Sequence, residues 1–183
     1  MKEFQFEYFR TLLDEVKPKF LGELGSHKGR TSEQICKHLI KYTNDFITFY
    51  GYDVFEDVEG NKEFAVAEHN GKGAGSYYET QKRLLRLKES NFKRFEFRLF
   101  KGLTSETLTK PVKFDFVYID AGHSYESVLH DWNMVKESKM IVFDDCDLEG
   151  IKRVIDEHVR PNHKVEITKD FRKQRALAIV RNF

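Results

Sequence analysis

Apolar residues along this chain fall into two alternating rhythms. Phe6, Phe9, Leu12, Leu13 and Val16 recur at helical spacing, so Phe4 to Val16 reads as an amphipathic helix ended near Pro18. Phe20-Leu-Gly-Glu-Leu24 is a short strand that runs into the glycine turn Gly25 to Gly29. Thr31 to Tyr42 returns to helical spacing, with Ile35, Leu39 and Ile40 inward, and Phe46 to Tyr52 is a second strand closed by Asp53. Val54 to Gly75 carries many acids and several glycines with weak periodicity, which suits a lid or binding loop. Ser76 to Leu87 is helical again, with Tyr77, Leu84 and Leu87 inward. Phe95 to Phe100 alternates as a strand, and Leu103 to Leu108 makes a short helical turn.

The second half repeats the pattern. Phe114 to Ile119 is a strand, Ser124 to Glu137 a helix, Met140 to Phe143 a strand and Leu148 to His158 a helix. Val165 to Thr168 and Ala176 to Val180 can close the chain as a hairpin through Lys169 to Arg175. Near-continuous apolar strands alternating with helices predict an α/β fold: a Rossmann-like three-layer sandwich with a mostly parallel seven-stranded sheet and a C-terminal antiparallel hairpin. Right-handed crossovers then gather binding loops at the C-terminal edge of the sheet. The expected division is a helix over residues 1–18 and one domain over 19–183.

Composition narrows the class. A chain of 183 residues leaves little room for a second domain, and 3 prolines exclude a Pro-rich linker. Net charge is +1, which argues against a polyanion partner. Lys82, Arg83, Arg86, Lys88, Lys93, Arg94 and Arg98 form the one basic concentration, and a solvated helix face with a strand edge accounts for it. Cys36 and Cys146 stand far apart, so they form neither a disulfide framework nor a zinc spacing and suit a reducing cytoplasm. No signal peptide or membrane-length apolar run is expected.

Chemistry collects where strands end. Gly22 to Thr31, GELGSHKGRT, is a glycine turn at a helix start, suited to close approach of backbone to a ligand. It departs from the Walker pattern and from Gly-x-Gly-x-x-Gly, and a purely structural turn remains an alternative. Asp53 can accept hydrogen bonds from ribose hydroxyls or merely cap its loop. Asp120 and His123, in IDAGHSYE, are candidates for general base or metal ligand, while Ser124 can cap the next helix. Asp144 and Asp145 follow the neighbouring strand. With Asp120 they could offer three carboxylates to a hard divalent cation such as Mg²⁺, which would relieve their mutual repulsion. The competing reading makes Asp144 or Asp147 a helix cap, with Asp147 the better placed.

Together these segments resemble class I S-adenosylmethionine-dependent methyltransferases over about Phe20 to Val180. The narrower likeness is to enzymes carrying Ile-Asp-Gly-x-His-Ser-Tyr, related to the macrocin and novobiocin O-methyltransferases; here Ala121 replaces the usual Gly. The resemblance implies that Glu23, Gly25, Ser26 and Gly29 lie around the cofactor's methionyl part. Asp53 would bind ribose, Gly102 and Ser105 would lie near adenine, and Asp120 would border the cofactor. It also implies Asp120 and His123 as catalytic residues and Asp120, Asp144 and Asp145 as ligands of Mg²⁺. The expected reaction is methyl transfer to an oxygen of a small-molecule acceptor, with neither nucleic acid nor membrane as partner. His27 is a lesser candidate base. The lid would come from Phe4 to Val16, Val54 to Gly75, or a second subunit of a homo-oligomer. Two other readings share the fold: a nicotinamide-dependent oxidoreductase and a non-catalytic domain that binds a nucleoside or a protein.

Overall fold

A computed structural model of the chain describes residues 3–55, 75–170 and 175–183. The elements run α1 (Glu3–Val16), β1 (Phe20–Leu24), α2 (Arg30–Tyr42), β2 (Ile47–Asp53), α3 (Tyr77–Ser90), β3 (Phe95–Lys101) and α4 (Thr104–Thr107). They continue as β4 (Phe116–Ile119), α5 (Tyr125–Val135), β5 (Met140–Phe143), α6 (Glu149–Val154), a π-helical turn (Ile155–Val159), β6 (Val165–Asp170) and β7 (Arg175–Arg181). The strands form one seven-stranded sheet in the order β3-β2-β1-β4-β5-β7-β6. All pairs from β3 to β5 are parallel, while β7 is antiparallel to both β5 and β6. The order reverses between β1 and β4, which places a crevice at their C-terminal ends.

Period-two alternation sends successive strand residues to opposite faces. Leu21, Phe49, Phe116, Tyr118 and Val142 join Phe9, Leu12 and Leu13 of α1, Ile35 and Leu39 of α2 and Leu84 of α3 in one cluster. Leu24, Val117, Ile119, Ile141 and Phe143 join Val128 and Trp132 of α5 and Ile151 and Val154 of α6 in the other. Helix α1 is thus committed to the core, its Phe9 ring 4.8 Å from that of Tyr118. Of Val54 to Gly75, one of the three expected sources of a lid, residues 56–74 lie outside the described residues.

Several boundaries move for identifiable reasons. Phe114 and Asp115 read as strand but precede β4, although the Asp115 N–H still donates to the Phe20 carbonyl at 2.8 Å. The Phe114 N–H donates to the Ser138 hydroxyl at 3.0 Å, and the Asp115 carboxylate accepts from the N–H groups of Lys19 and Phe20 at 2.9 and 3.0 Å. The predicted helix 148–158 splits into α6 and the π turn, which no apolar period signals. Asp147 is not the cap of α6. Leu148 holds that position without a side-chain bond, and its N–H donates to the Asp145 carbonyl at 2.9 Å. Asp145 sits in the left-handed region with φ 47°, so the turn forms one residue later than expected. The cationic stretch is largely occupied by contacts within the fold: Arg83 pairs with Glu33, Lys88 with Glu96, and Arg94 donates to the Ile40 and Thr43 carbonyls.

Candidate active site

Two clusters form at the C-terminal ends of the strands. The first surrounds a cleft with about 440 Å³ of empty volume, open solvent included, lined among others by Gly25, Asp53, Gly102, Ala121 and Gly122. Gly25 adopts φ 93°, and a Cβ there would come within 2.0 Å of the Asp120 carbonyl oxygen. Only glycine supplies both that backbone conformation and that approach. Asp53 is buried at the end of β2. Its Oδ2 accepts from the His27 N–H at 2.7 Å and its Oδ1 from the Phe55 N–H at 2.8 Å. A carboxylate has about four acceptor positions, so each oxygen keeps capacity for a ligand hydroxyl. Gly102 closes the cleft, its N–H donating to the Asp53 carbonyl at 3.0 Å.

The other residues predicted around the cofactor have different surroundings. Gly29 is left-handed with φ 68°, and a Cβ there would meet Thr80 of α3 at 2.9 Å, so its closest approach is to a helix. Ser26 is buried, its N–H donating to the Tyr52 carbonyl at 3.2 Å. Ser105 is exposed on α4. Glu23 is 1% exposed, points to the α1–α2–α3 side of the sheet, and accepts from the Ser32 hydroxyl. Its Oε1 makes no hydrogen bond among the described residues. Burial pushes the Glu23 carboxyl up to about 7, against the opposing pull of the Ser32 hydroxyl. This buried, incompletely bonded acid suits a cationic neighbour such as an α-amino group.

The second cluster contains Asp120 and His123 of the IDAGHSYE loop. Ligand-capable atoms of Asp120, His123 and Asp145 all lie within 4.8 Å of one another, and all three residues are partly exposed. Asp144 is not part of this group. It is buried, and its Oδ2 accepts from the Tyr118 hydroxyl at 2.8 Å. The same hydroxyl reaches Asp120 Oδ2 at 3.4 Å. Strand alternation puts Tyr118, Asp120 and Asp144 on one side of the sheet, whereas the left-handed turn at Asp145 redirects its carboxylate. The expected trio of carboxylates therefore becomes two carboxylates and an imidazole. Tyr118 was not singled out by sequence; its place two residues before Asp120 on one strand was the available signal. Burial, with the charges of Asp120 and Asp144, holds the Tyr118 phenol well above its usual range, so it is a donor to these acids.

The helix after the loop starts as predicted, with the Ser124 hydroxyl accepting from the Ser127 N–H at 3.3 Å. Tyr125 is turned outward, bonded to Glu157 and His158 beneath the Arg153 guanidinium. It braces α5 against the α6 side and does not face the cleft residues.

Residues 23–146, more than half of the chain, match the family model described as a methyltransferase domain. The chain belongs to this methyltransferase family. The match sets aside the oxidoreductase reading. Solved structures share the methyltransferase fold: a putative O-methyltransferase from Klebsiella pneumoniae is 14% identical with a TM-score of 0.65, over 99% of this chain and 80% of that one. The O-methyltransferase NovP is 18% identical at TM-score 0.65, over 94% and 78%. An O-methyltransferase from Bacillus cereus, solved in complex with SAH, is 15% identical at 0.65, over 100% and 82%. No curated protein sequence matches the chain significantly. No described helix of the methyltransferase is long and apolar enough to cross a membrane.

Proposed function

We propose that this methyltransferase transfers the methyl group of S-adenosylmethionine to a hydroxyl oxygen of a small molecule. The observation that carries this reading is the convergence of Asp120, His123 and Asp145 within 4.8 Å. Asp120 and His123 flank Ala121 and Gly122, which line the cleft beside Gly25 and Asp53. Asp53 would accept from the ribose hydroxyls through oxygens already oriented by His27 and Phe55. Gly25 would let the backbone pass the methionyl part, and Glu23 would face its ammonium group. The narrower kinship, to the Ile-Asp-Gly-x-His-Ser-Tyr enzymes of macrocin and novobiocin type, is supported by the place of Asp120 and His123 at the rim. In this reading residues 19–183 form the catalytic domain, with residues 1–18 adding a helix to its side.

S-adenosylmethionine supplies an electrophilic methyl group, so the protein's work is mainly positioning and deprotonation. The two carboxylates suit a hard divalent cation such as Mg²⁺, while the imidazole is a poorer ligand for it and is left for proton transfer. Asp120 and Asp145 would hold the cation, and such an ion lowers the pKa of an oxygen acid bound to it. His123 would accept the acceptor's proton at the cluster's edge. Asp144 would serve from behind, through Tyr118, by fixing the Asp120 carboxylate.

Thermal denaturation with SAH and with NAD, each with and without Mg²⁺, tests the cofactor; incubation of radiolabelled S-adenosylmethionine with hydroxylated acceptors tests the reaction. Stabilisation by SAH alone, increased by Mg²⁺, is expected. No shift with SAH would overturn the cofactor assignment. Metal-independent transfer to oxygen would overturn the role given to Asp145.

A further inference from the structure

Gly150 poses a question that its own helix does not answer. It lies in the first turn of α6, and its φ is outside the left-handed region. Alanine is the better helix former there. Space supplies the reason for glycine. A Cβ on residue 150 would stand 2.2 Å from the His123 carbonyl oxygen, 2.9 Å from the Tyr125 nitrogen and 3.1 Å from the Ser124 carbonyl carbon. All three are backbone atoms, so no rotamer change could make room. Gly25 meets the same loop from the other side, with its Cβ position 2.0 Å from the Asp120 carbonyl oxygen. Residues 120–125 are therefore held between two glycine backbones, one beside Asp120 and one beside His123.

We propose that Gly150 is a positioning residue, whose missing side chain lets α6 press the 120–125 loop into the place where His123 meets Asp120 and Asp145. The inference rests on the reading of those three residues as the reacting cluster. Gly150 does not line the nucleoside cleft. A methyl group there should move His123 while leaving Asp53 and Gly102 alone.

The test is Gly150→Ala in the full chain, read by the His123 ring resonances in NMR, by Mn²⁺ affinity and by SAH affinity. The His123 resonances should shift, and Mn²⁺ should bind about 10–100-fold more weakly because the displaced loop also carries Asp120, the usual range for loss of outer-shell support. SAH affinity should fall far less, because Asp53 and Gly102 of the cleft are left in place. A folded variant with unaltered His123 resonances would overturn the proposal, and so would an equal loss of SAH and Mn²⁺ affinity. If the variant lacks a cooperative melt, Glu149→Ala and Lys152→Ala decide, because they alter exposed positions of α6 without adding an atom at position 150. Both should leave His123 unmoved, and a shift in either would overturn the proposal. A wild-type protein that binds no Mn²⁺ would defeat the metal reading, while the His123 resonances would still judge Gly150.

Discussion

Asp53 and Asp120 end parallel strands of the same sheet, yet the molecule treats them differently. Asp53 is buried, and backbone amides of His27 and Phe55 fix both its oxygens. Asp120 is partly exposed, with the Tyr118 hydroxyl 3.4 Å from one oxygen and His123 and Asp145 nearby. The first acid is set by main chain, so its geometry is the fold's geometry. The second is set by side chains drawn from β4, the following loop and the turn after β5. A preorganised backbone site suits a ligand portion that never changes; a cluster of movable side chains suits the reacting end, where acceptors differ.

The sharpest way to break this contrast is Asp53→Ala. It removes two charge-assisted hydrogen bonds worth about 1.5–3 kcal/mol each. The Gly25 turn and the start of the segment after β2 lose their shared anchor. SAH binding should weaken at least about a hundredfold, equivalent to about 2.7 kcal/mol, in isothermal titration. Retained affinity would remove Asp53 from the ribose site. Asp120→Asn should leave SAH affinity nearly intact.

Glu23 offers the next largest effect, and it concerns stability. Its carboxyl rises from 4.5 to about 7 on folding. Between those values the folded protein holds a proton that the unfolded chain has released. Stability of the ligand-free protein therefore falls as pH rises through about 4.5 to 7 and levels off above. The shift corresponds to on the order of 3 kcal/mol. Glu23→Gln should flatten that slope relative to wild type in urea denaturation at pH 5 and pH 8. Parallel curves for the two proteins would show that burial of Glu23 carries no such cost.

The strands and their mostly parallel arrangement were largely legible because burial on both faces writes continuous apolar runs, as in Met140-Ile-Val-Phe143. The places of Asp53 and Gly25 beside the cleft were legible for a related reason: strand ends and glycine turns are local features. What escaped was set by distant neighbours. Phe114 reads as strand because apolar character records depth rather than ladder pairing. Asp144 and Asp145 are adjacent in sequence, yet one is a buried partner of Tyr118 and the other, in the left-handed turn, stands beside Asp120 and His123. Nothing in VFDDCD announces that turn. Gly29 had the right residue type, but the surface it approaches belongs to α3, some fifty positions away.

The two adjacent acids give the third prediction. Asp145→Asn should weaken Mn²⁺ binding by about 10–100-fold without a comparable loss of stability, since the residue is partly exposed. Asp144→Asn should act more on the fold, because it alters the buried bond to Tyr118. If Asp144→Asn abolished metal binding while Asp145→Asn left it untouched, the assignment of ligand and support would be reversed.

The smallest effect separates scaffold from chemistry inside the loop itself. Ser124 stands next to His123, and motif reading alone would give both a catalytic part. Its hydroxyl accepts from the Ser127 N–H at the start of α5. Ser124→Ala should therefore cost about 1 kcal/mol, the usual value of an N-cap, and lower the melting temperature by roughly 2–4 °C for a chain of this size. SAH affinity and the rate of methyl transfer should stay near wild type below the melt. A variant with an unchanged melting temperature but a collapsed rate would place Ser124 in the reacting cluster. The line between main-chain-built and side-chain-built halves would then have to be drawn one residue further along the helix.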